Sequence, residues 1–175
     1  GRRPRLPSGA VGLQIRAVEP ADAEAIRTIY NREVTGSTVT FDMVERTPEE
    51  QSTWIAEHSG GHPAVVAVDE ATGQVVGFAS LSPYRPRPAY STTVEDSVYV
   101  RDDQRGNGVG RVLLDEIVRL AAAHGYHTVI GRIVGDHTAS IALHEACGFE
   151  QIGREREVGR KHGRWLDVVI MQRML

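Results

Sequence analysis

The chain has a single cysteine among its 175 residues, Cys147, so no disulfide can form within it. That usage suits a reducing compartment, and a cytoplasmic protein is the expectation. Long hydrophobic runs are also missing: none approaches the roughly 18 residues that cross a bilayer, so no membrane partner is expected. The early basic residues Arg2, Arg3 and Arg5 have no apolar stretch behind them of the kind a signal peptide carries. Positive charge is not in excess, since the formal net charge is −3, and this gives no support for nucleic-acid binding. The histidines, His124 and His127 included, show no ligand spacing with a cysteine or a paired acid, so no metal is expected. What is present is ordinary for a globular domain, with 41% hydrophobic and 25% charged residues. One domain over residues 13–175 is expected. An N-terminal arm, 1–12, holds no acid and little that can pack, and it is expected to be disordered.

Periodicity supplies the elements. "LQIRAV" (13–18) alternates as a strand does. Pro20 opens a helix whose apolar residues Ile26, Ile29, Tyr30 and Val34 share one face. Residues 35–47 lack a helical period and read as a loop. A second helix follows over "PEEQSTWIAEHS" and stops before Gly60 and Gly61. "AVVAV" (64–68) and "VVGFASL" (75–81) form a hairpin pattern around Gly73. "PYRPRPAY" (83–90), with three prolines, is an irregular loop. A strand over 92–100, a long amphipathic helix from 109, a strand over 127–134, a short helix ending at Gly148 and two final strands complete the chain. The order β-α-α-β-β-β-α-β-α-β-β implies an α/β fold: a mixed, mostly antiparallel sheet flanked by helices on both faces.

Between the strand at 92–100 and the long helix lies "QRGNGVGR" (104–111), with three glycines and two arginines in eight residues. A plain tight turn into a helix is one reading. The spacing fails the dinucleotide fingerprint, which needs G-x-G-x-x-G, and the Walker A lysine is absent. Arg105-x-x-Gly108-x-Gly110 fits a pyrophosphate cradle instead. Glycines let backbone N–H groups turn inward, the helix start adds its positive dipole end, and Arg105 and Arg111 add charge at the rim.

That pattern after "SVYV" resembles the acetyl-CoA signature of the GNAT acetyltransferases, and "SIALHEACGF" resembles their second signature, beside the pantetheine arm. "STVTF", "YRPRPAY", "TVEDSVYV" and "KHGRWLDVVIMQR" stand in the order seen in the phosphinothricin N-acetyltransferases, whose relatives acetylate methionine sulfoximine and methionine sulfone. The resemblance covers residues 13–174. It implies acetyl-CoA as co-substrate, a small amino acid as acceptor, and a homodimer built with the tail, where Trp165 is a natural anchor.

Acetyl transfer to an amine needs a base for the ammonium proton, polarisation of the thioester carbonyl and help for the leaving thiolate. Glu95, mid-strand, is the expected base, and burial would raise its pKa toward neutrality. Its neighbour Asp96 points to the opposite face and reads as structural. His144 stands where many members of the family carry Tyr; protonating the thiolate and helping to deprotonate the amine are both open to it. Arg85 and Arg87 offer planar forks to an acceptor carboxylate and its polar tail, although solvated charges are the plain alternative. Tyr90 can line the same pocket, and Phe41 packs either on the acceptor's aliphatic stem or in the core. For the cofactor, Val98, Tyr99 and Val100 are expected to offer backbone groups to pantetheine. Residues Arg105, Gly106, Asn107, Gly108, Val109, Gly110 and Arg111 are expected to hold the pyrophosphate, and Ser140 to touch the same arm. His137 occupies a place where the family usually has Asn, which puts a contact there in doubt. Cys147 reads as a small apolar residue rather than a nucleophile.

Overall fold

A computed structural model describes residues 12–175. The expectation about the N-terminal arm falls almost wholly outside the described residues. The elements run β1 (Leu13–Ala17), α1 (Ala23–Gly36), α2 (Pro48–Glu57), β2 (Ala64–Asp69), β3 (Val75–Pro83), β4 (Thr93–Val100), α3 (Val109–Ala123), β5 (Thr128–Val134), α4 (Thr138–Ala146), β6 (Glu150–Lys161) and β7 (Arg164–Met174). The expected order and fold class hold. Several ends shift by one or two residues, and the largest difference is at α1: Pro20–Asp22 forms a separate 3-10 turn, and α1 starts only after it. The turn is fixed by Asp22, which accepts from the Glu19 backbone and from both Arg16 nitrogens.

The seven strands form one sheet in the order β1-β2-β3-β4-β5-β7-β6. Every neighbouring pair is antiparallel except β4 and β5. The two faces are covered by different helices. Ile26, Ile29, Tyr30 and Val34 of α1 pack with Ile55 of α2 on Val66 and Phe78. On the other face, Leu113, Leu114 and Ile117 of α3 pack on Ala79, Leu81 and Val94. Each strand alternates its side chains between these two layers, which is how β2 and β3 can be buried along nearly their whole length.

The parallel pair is short. Thr93, Val94 and Glu95 pair with Thr128, Val129 and Ile130, and there the pairing stops. Beyond that point β4 stays with β3 as far as Val100, while β5 stays with β7 as far as Val134. The strands therefore splay apart, and the inner edge of β4 over residues 96–100 has no strand beside it. This wedge, opening just past Glu95, positions everything that follows.

The final hairpin is tied back across the molecule. It turns at His162 and Gly163, both at positive φ, the backbone a two-residue hairpin turn demands. Lys161 beside the turn is buried, and its Nζ donates to the carbonyl oxygens of Thr40 at 2.8 Å, Asp42 at 2.9 Å and Glu33 at 3.4 Å. One ammonium thus satisfies backbone acceptors of the α1–α2 loop, which has no ladder of its own.

Candidate active site

A cavity of about 370 Å³ fills the splay, within the range of small-molecule sites. Its walls come from residues 96–100 of β4, the loop before α3, the first turn of α3, and α4. Of the residues singled out in the sequence, Val98, Tyr99 and Val100 line it, as do Arg105, Gly106, Gly108, Val109, Gly110 and Arg111, together with His137, Ser140 and His144. Asn107 does not: it lies in a neighbouring groove with Gly12 and Asp69.

The glycines divide into two kinds. Gly106 and Gly108 have φ of +81° and +80°, a conformation that side chains disfavour. Gly108 is the N-cap of α3 and no side chain caps its first N–H groups; Val109, Gly110 and Arg111 of that first turn line the cavity. Gly110 is helical and does a packing job: a Cβ there would stand 3.1 Å from Leu143 of α4. The arginines do less than their charge suggests. Arg105 is ion-paired to Glu33 at 2.5 Å and to Asp102 at 3.1 Å, and Arg111 to Asp115 at 3.1 Å. With those charges offset, the positive potential at the loop comes chiefly from backbone N–H groups and the helix dipole.

Glu95 sits where the strands part. Its side chain is 30% exposed and its nearest cation is Arg132 of β5, at 3.8 Å. Burial pushes its carboxyl pKa up, and Arg132 and Arg85 oppose the rise only in part. Arg132 is drawn the other way by a tighter ion pair with Glu155 of β6. A carboxyl that is half-buried and only loosely paired holds its proton more readily than a free glutamate does.

Asp96 faces the opposite side from Glu95, as strand alternation implied, and the structure adds a partner for it. It lines the cavity, is buried, and holds His144 Nε2 at 2.8 Å from its Oδ2. His144 Nδ1 lies 2.8 Å from the Ser140 carbonyl oxygen. Burial by itself would lower the His144 pKa; the Asp96 charge and hydrogen bond and the Ser140 carbonyl outweigh it, and the net shift is upward. His137 moves oppositely: burial and then the Arg105 charge push it down, so it is a neutral ring with a donor and an acceptor.

The acceptor-side residues stand apart from this cavity. Arg85 and Arg87 are exposed, with Arg85 stacked 5.0 Å from the Tyr84 ring. Tyr90 is 39% exposed and meets Tyr84 edge-on at 5.4 Å. Phe41 is 41% exposed and lies against the backbone of β6, where a Cβ on Gly159 would stand 2.5 Å from its ring. The structure brings none of these four into the wall of the splay. Sequence reasoning missed Arg132, Glu33 and the Asp96 pairing. A signal for the last was present: Gly131 is isolated within a strand of β-branched residues, a mark of close approach by a neighbour.

A family model described as an acetyltransferase (GNAT) domain matches residues 15–170. The chain belongs to the GNAT acetyltransferase family. An L-methionine sulfoximine/L-methionine sulfone acetyltransferase of Pseudomonas paraeruginosa is 42% identical over 93% of this chain and 94% of its own length. A phosphinothricin acetyltransferase of Sinorhizobium meliloti, solved in complex with AcCoA, superposes with a TM-score of 0.90 at 40% identity, covering 94% of this chain and 89% of that one. A ribosomal-protein-alanine N-acetyltransferase of Brucella melitensis gives a TM-score of 0.89 at 39% identity, covering 93% and 99%. The GNAT assignment makes this chain an acetyl-CoA-dependent N-acetyltransferase.

Proposed function

We propose that this acetyltransferase takes the acetyl group from acetyl-CoA and passes it to the amino group of a small amino acid, with methionine sulfoximine, methionine sulfone and phosphinothricin as the first acceptors to test. The observation that carries the reading is the wedge between β4 and β5, with an N–H-rich helix start at one end and Glu95 at its apex. In this reading the N–H groups opening α3 hold the pyrophosphate, with Arg105 and Arg111 as flanking charges. The unpaired edge of Val98, Tyr99 and Val100 receives the pantetheine amides as a strand would. His137 and Ser140, at the start of α4, flank the same arm.

Glu95 takes the ammonium proton, directly or through a water, and the freed amine attacks the thioester carbonyl. The C–N bond forms, the C–S bond breaks, and the sulfur leaves with the electron pair. Transfer is direct. Burial raises the Cys147 thiol pKa to about 12, which removes the one thiol as a nucleophile. Arg85, Arg87 and Tyr90 form the acceptor end, where guanidinium forks meet the carboxylate and the tetrahedral polar group. Phe41 supplies an apolar surface to the stem.

Two further features belong to this reading. The last hairpin carries exposed Ile152, Val158 and Trp165, an apolar surface suited to a homodimer. The buried lone cysteine suits the cytoplasm; no helix among the described residues is long and apolar enough to cross a membrane.

The test is thiol release from acetyl-CoA over a panel of amines, compared as kcat/KM. It should favour amino acids with a tetrahedral polar tail over polyamines and aminoglycosides. The Brucella neighbour makes a peptide with N-terminal alanine a necessary member of the panel. A preference for that peptide would replace the acceptor assignment, and silence on every amine would leave a CoA-binding module.

A further inference from the structure

The His144 ring is held on every side by groups that dictate its protons. Nδ1 faces the Ser140 carbonyl oxygen at 2.8 Å, and a carbonyl only accepts, so Nδ1 carries hydrogen. Nε2 faces Asp96 Oδ2 at 2.8 Å. Two lone pairs at that distance repel, so one proton must lie between them. The side chains of Asp96 and His144 are 1% and 4% exposed, so no bulk water shares the contact. Phe149 closes the ring from one side, edge-on at 4.9 Å.

Room for the pair comes from the neighbouring strand. A Cβ on Gly131 would stand 3.0 Å from His144 Cδ2, 3.1 Å from Nε2 and 3.1 Å from Asp96 Oδ1. Asp96 Oδ1 itself is buried and has no hydrogen-bond partner among the described residues. A carboxylate with one oxygen unmet depends on its single contact, to Nε2, for its stabilisation. The other charged groups around the cavity are Arg132 on β5, His137 at the start of α4, Arg105 and Arg111 by the glycine loop, and Glu33 on α1. None of them is hydrogen-bonded to the His144 ring.

We propose that Asp96 is the positioning residue for His144, holding the ring with hydrogen on both nitrogens so that it presents no lone pair to the acceptor. The proposal rests on the acetyltransferase reading above and resolves the roles within it. A ring without a lone pair takes no proton from the ammonium, so that proton goes to Glu95. Both N–H groups are spent on Ser140 and Asp96, so His144 acts as a fixed positive charge on the cavity wall, and it depends on Asp96 for that state.

The experiment is nitrogen NMR on protein labelled at histidine, with His144→Asn identifying the signal, alongside steady-state kinetics. Wild type should show two protonated nitrogens for His144 at pH 7 and above. Asp96→Asn should leave one, since Asn carries no charge to hold the second, and kcat should fall roughly 10- to 100-fold, the scale of losing an orienting partner. KM for acetyl-CoA should stay within about twofold. In the His144→Asn background, Asp96→Asn should add no further loss. Gly131→Ala serves as a second route, pressing a methyl group on the pair without removing either member, and it should disturb the same signal.

A neutral His144 ring in wild type overturns the proposal, as does a doubly protonated ring in Asp96→Asn. Full additivity of the two substitutions, or a lost proton with kcat unchanged, overturns the positioning role. These outcomes differ from failure of the functional reading, which would appear as wild type releasing no thiol with any amine while its NMR signature stood.

Discussion

At the glycine-loop end of the wedge, both arginines have partners within the chain, and the N–H groups that open α3 have no capping side chain. Arg105 is paired to Glu33 and Asp102, Arg111 to Asp115, and the loop backbone is set by two glycines at positive φ. At the acceptor end, Arg85 and Arg87 project from a proline-stiffened loop into solvent, and Phe41 and Tyr90 show about two-fifths of their surface. The first end is finished before any ligand arrives; the second is completed only when something fills it. On the proposed reading, the difference teaches that recognition of the donor is written into backbone conformation, while recognition of the acceptor rests on a few long side chains, which are easy to change without disturbing the fold.

The sharpest way to break this comparison lies at the apex shared by both ends. Glu95→Gln keeps shape and removes proton acceptance, and kcat should fall by roughly 10²–10⁴-fold. Because burial raises the Glu95 pKa, the rise of wild-type kcat/KM with pH should have a limb above the usual glutamate value of about 4.3. The variant should lose that limb. A Glu95→Gln enzyme that keeps its turnover would remove Glu95 as base.

Next in size is the donor end. Gly108→Val forces a β-branched residue to φ near +80°, a strain of about 1–3 kcal/mol. Calorimetry on the folded variant should show acetyl-CoA binding weakened by tenfold or more, with acceptor preference unchanged among the molecules that still turn over. The mirror experiment is Arg87→Ala. Loss of one charge-assisted contact costs roughly 1.5–3 kcal/mol, expected as a higher KM for the amino acid and an unchanged affinity for acetyl-CoA. Equal losses for both ligands would erase the division drawn between the ends.

Smaller effects should appear in stability. Lys161→Met strands the Thr40 and Asp42 carbonyls, and limited proteolysis should then cut residues 37–47 sooner while the loop before α3 stays protected. The Asp96–His144 pair raises the His144 pKa in the folded state. Its contribution is therefore complete below about pH 6.5, the unfolded value, and is lost as pH rises through the folded one. Thermal melts should decline across that window by about 2–4 °C for each kcal/mol lost, and Asp96→Asn should flatten the decline.

Much of this was legible in the chain. The 3.6-residue spacing of Ile26, Ile29, Tyr30 and Val34 declared α1, and Gly106 and Gly108 declared a special loop because no other residue type takes that backbone freely. What stayed hidden depends on register. Asp96 looked structural because strand alternation says which face a residue takes but not what waits there. That His144 of α4 reaches it across Gly131 follows from how β4 and β5 part. The pairing of Arg105 with Glu33, 72 positions away, is likewise a product of packing, with no local signature. The acceptor loop was read from its arginines and prolines, and its distance from the cavity wall could not be read from composition.

Lys161 has one more consequence, for the order in which the molecule is made. The carbonyls it satisfies lie 119 to 128 positions earlier in the chain. As synthesis proceeds from the N-terminus, the α1–α2 loop leaves the ribosome long before its ammonium does. β4, the glycine loop and α3 can collapse together while β6 and β7 are still untranslated, so the donor end can take shape early. The loop that carries Phe41 gains its anchor only when the last hairpin folds, and a long closure of this kind is a slow step. On the proposed reading of Phe41, selectivity for the amine is then the last property this chain acquires as it folds.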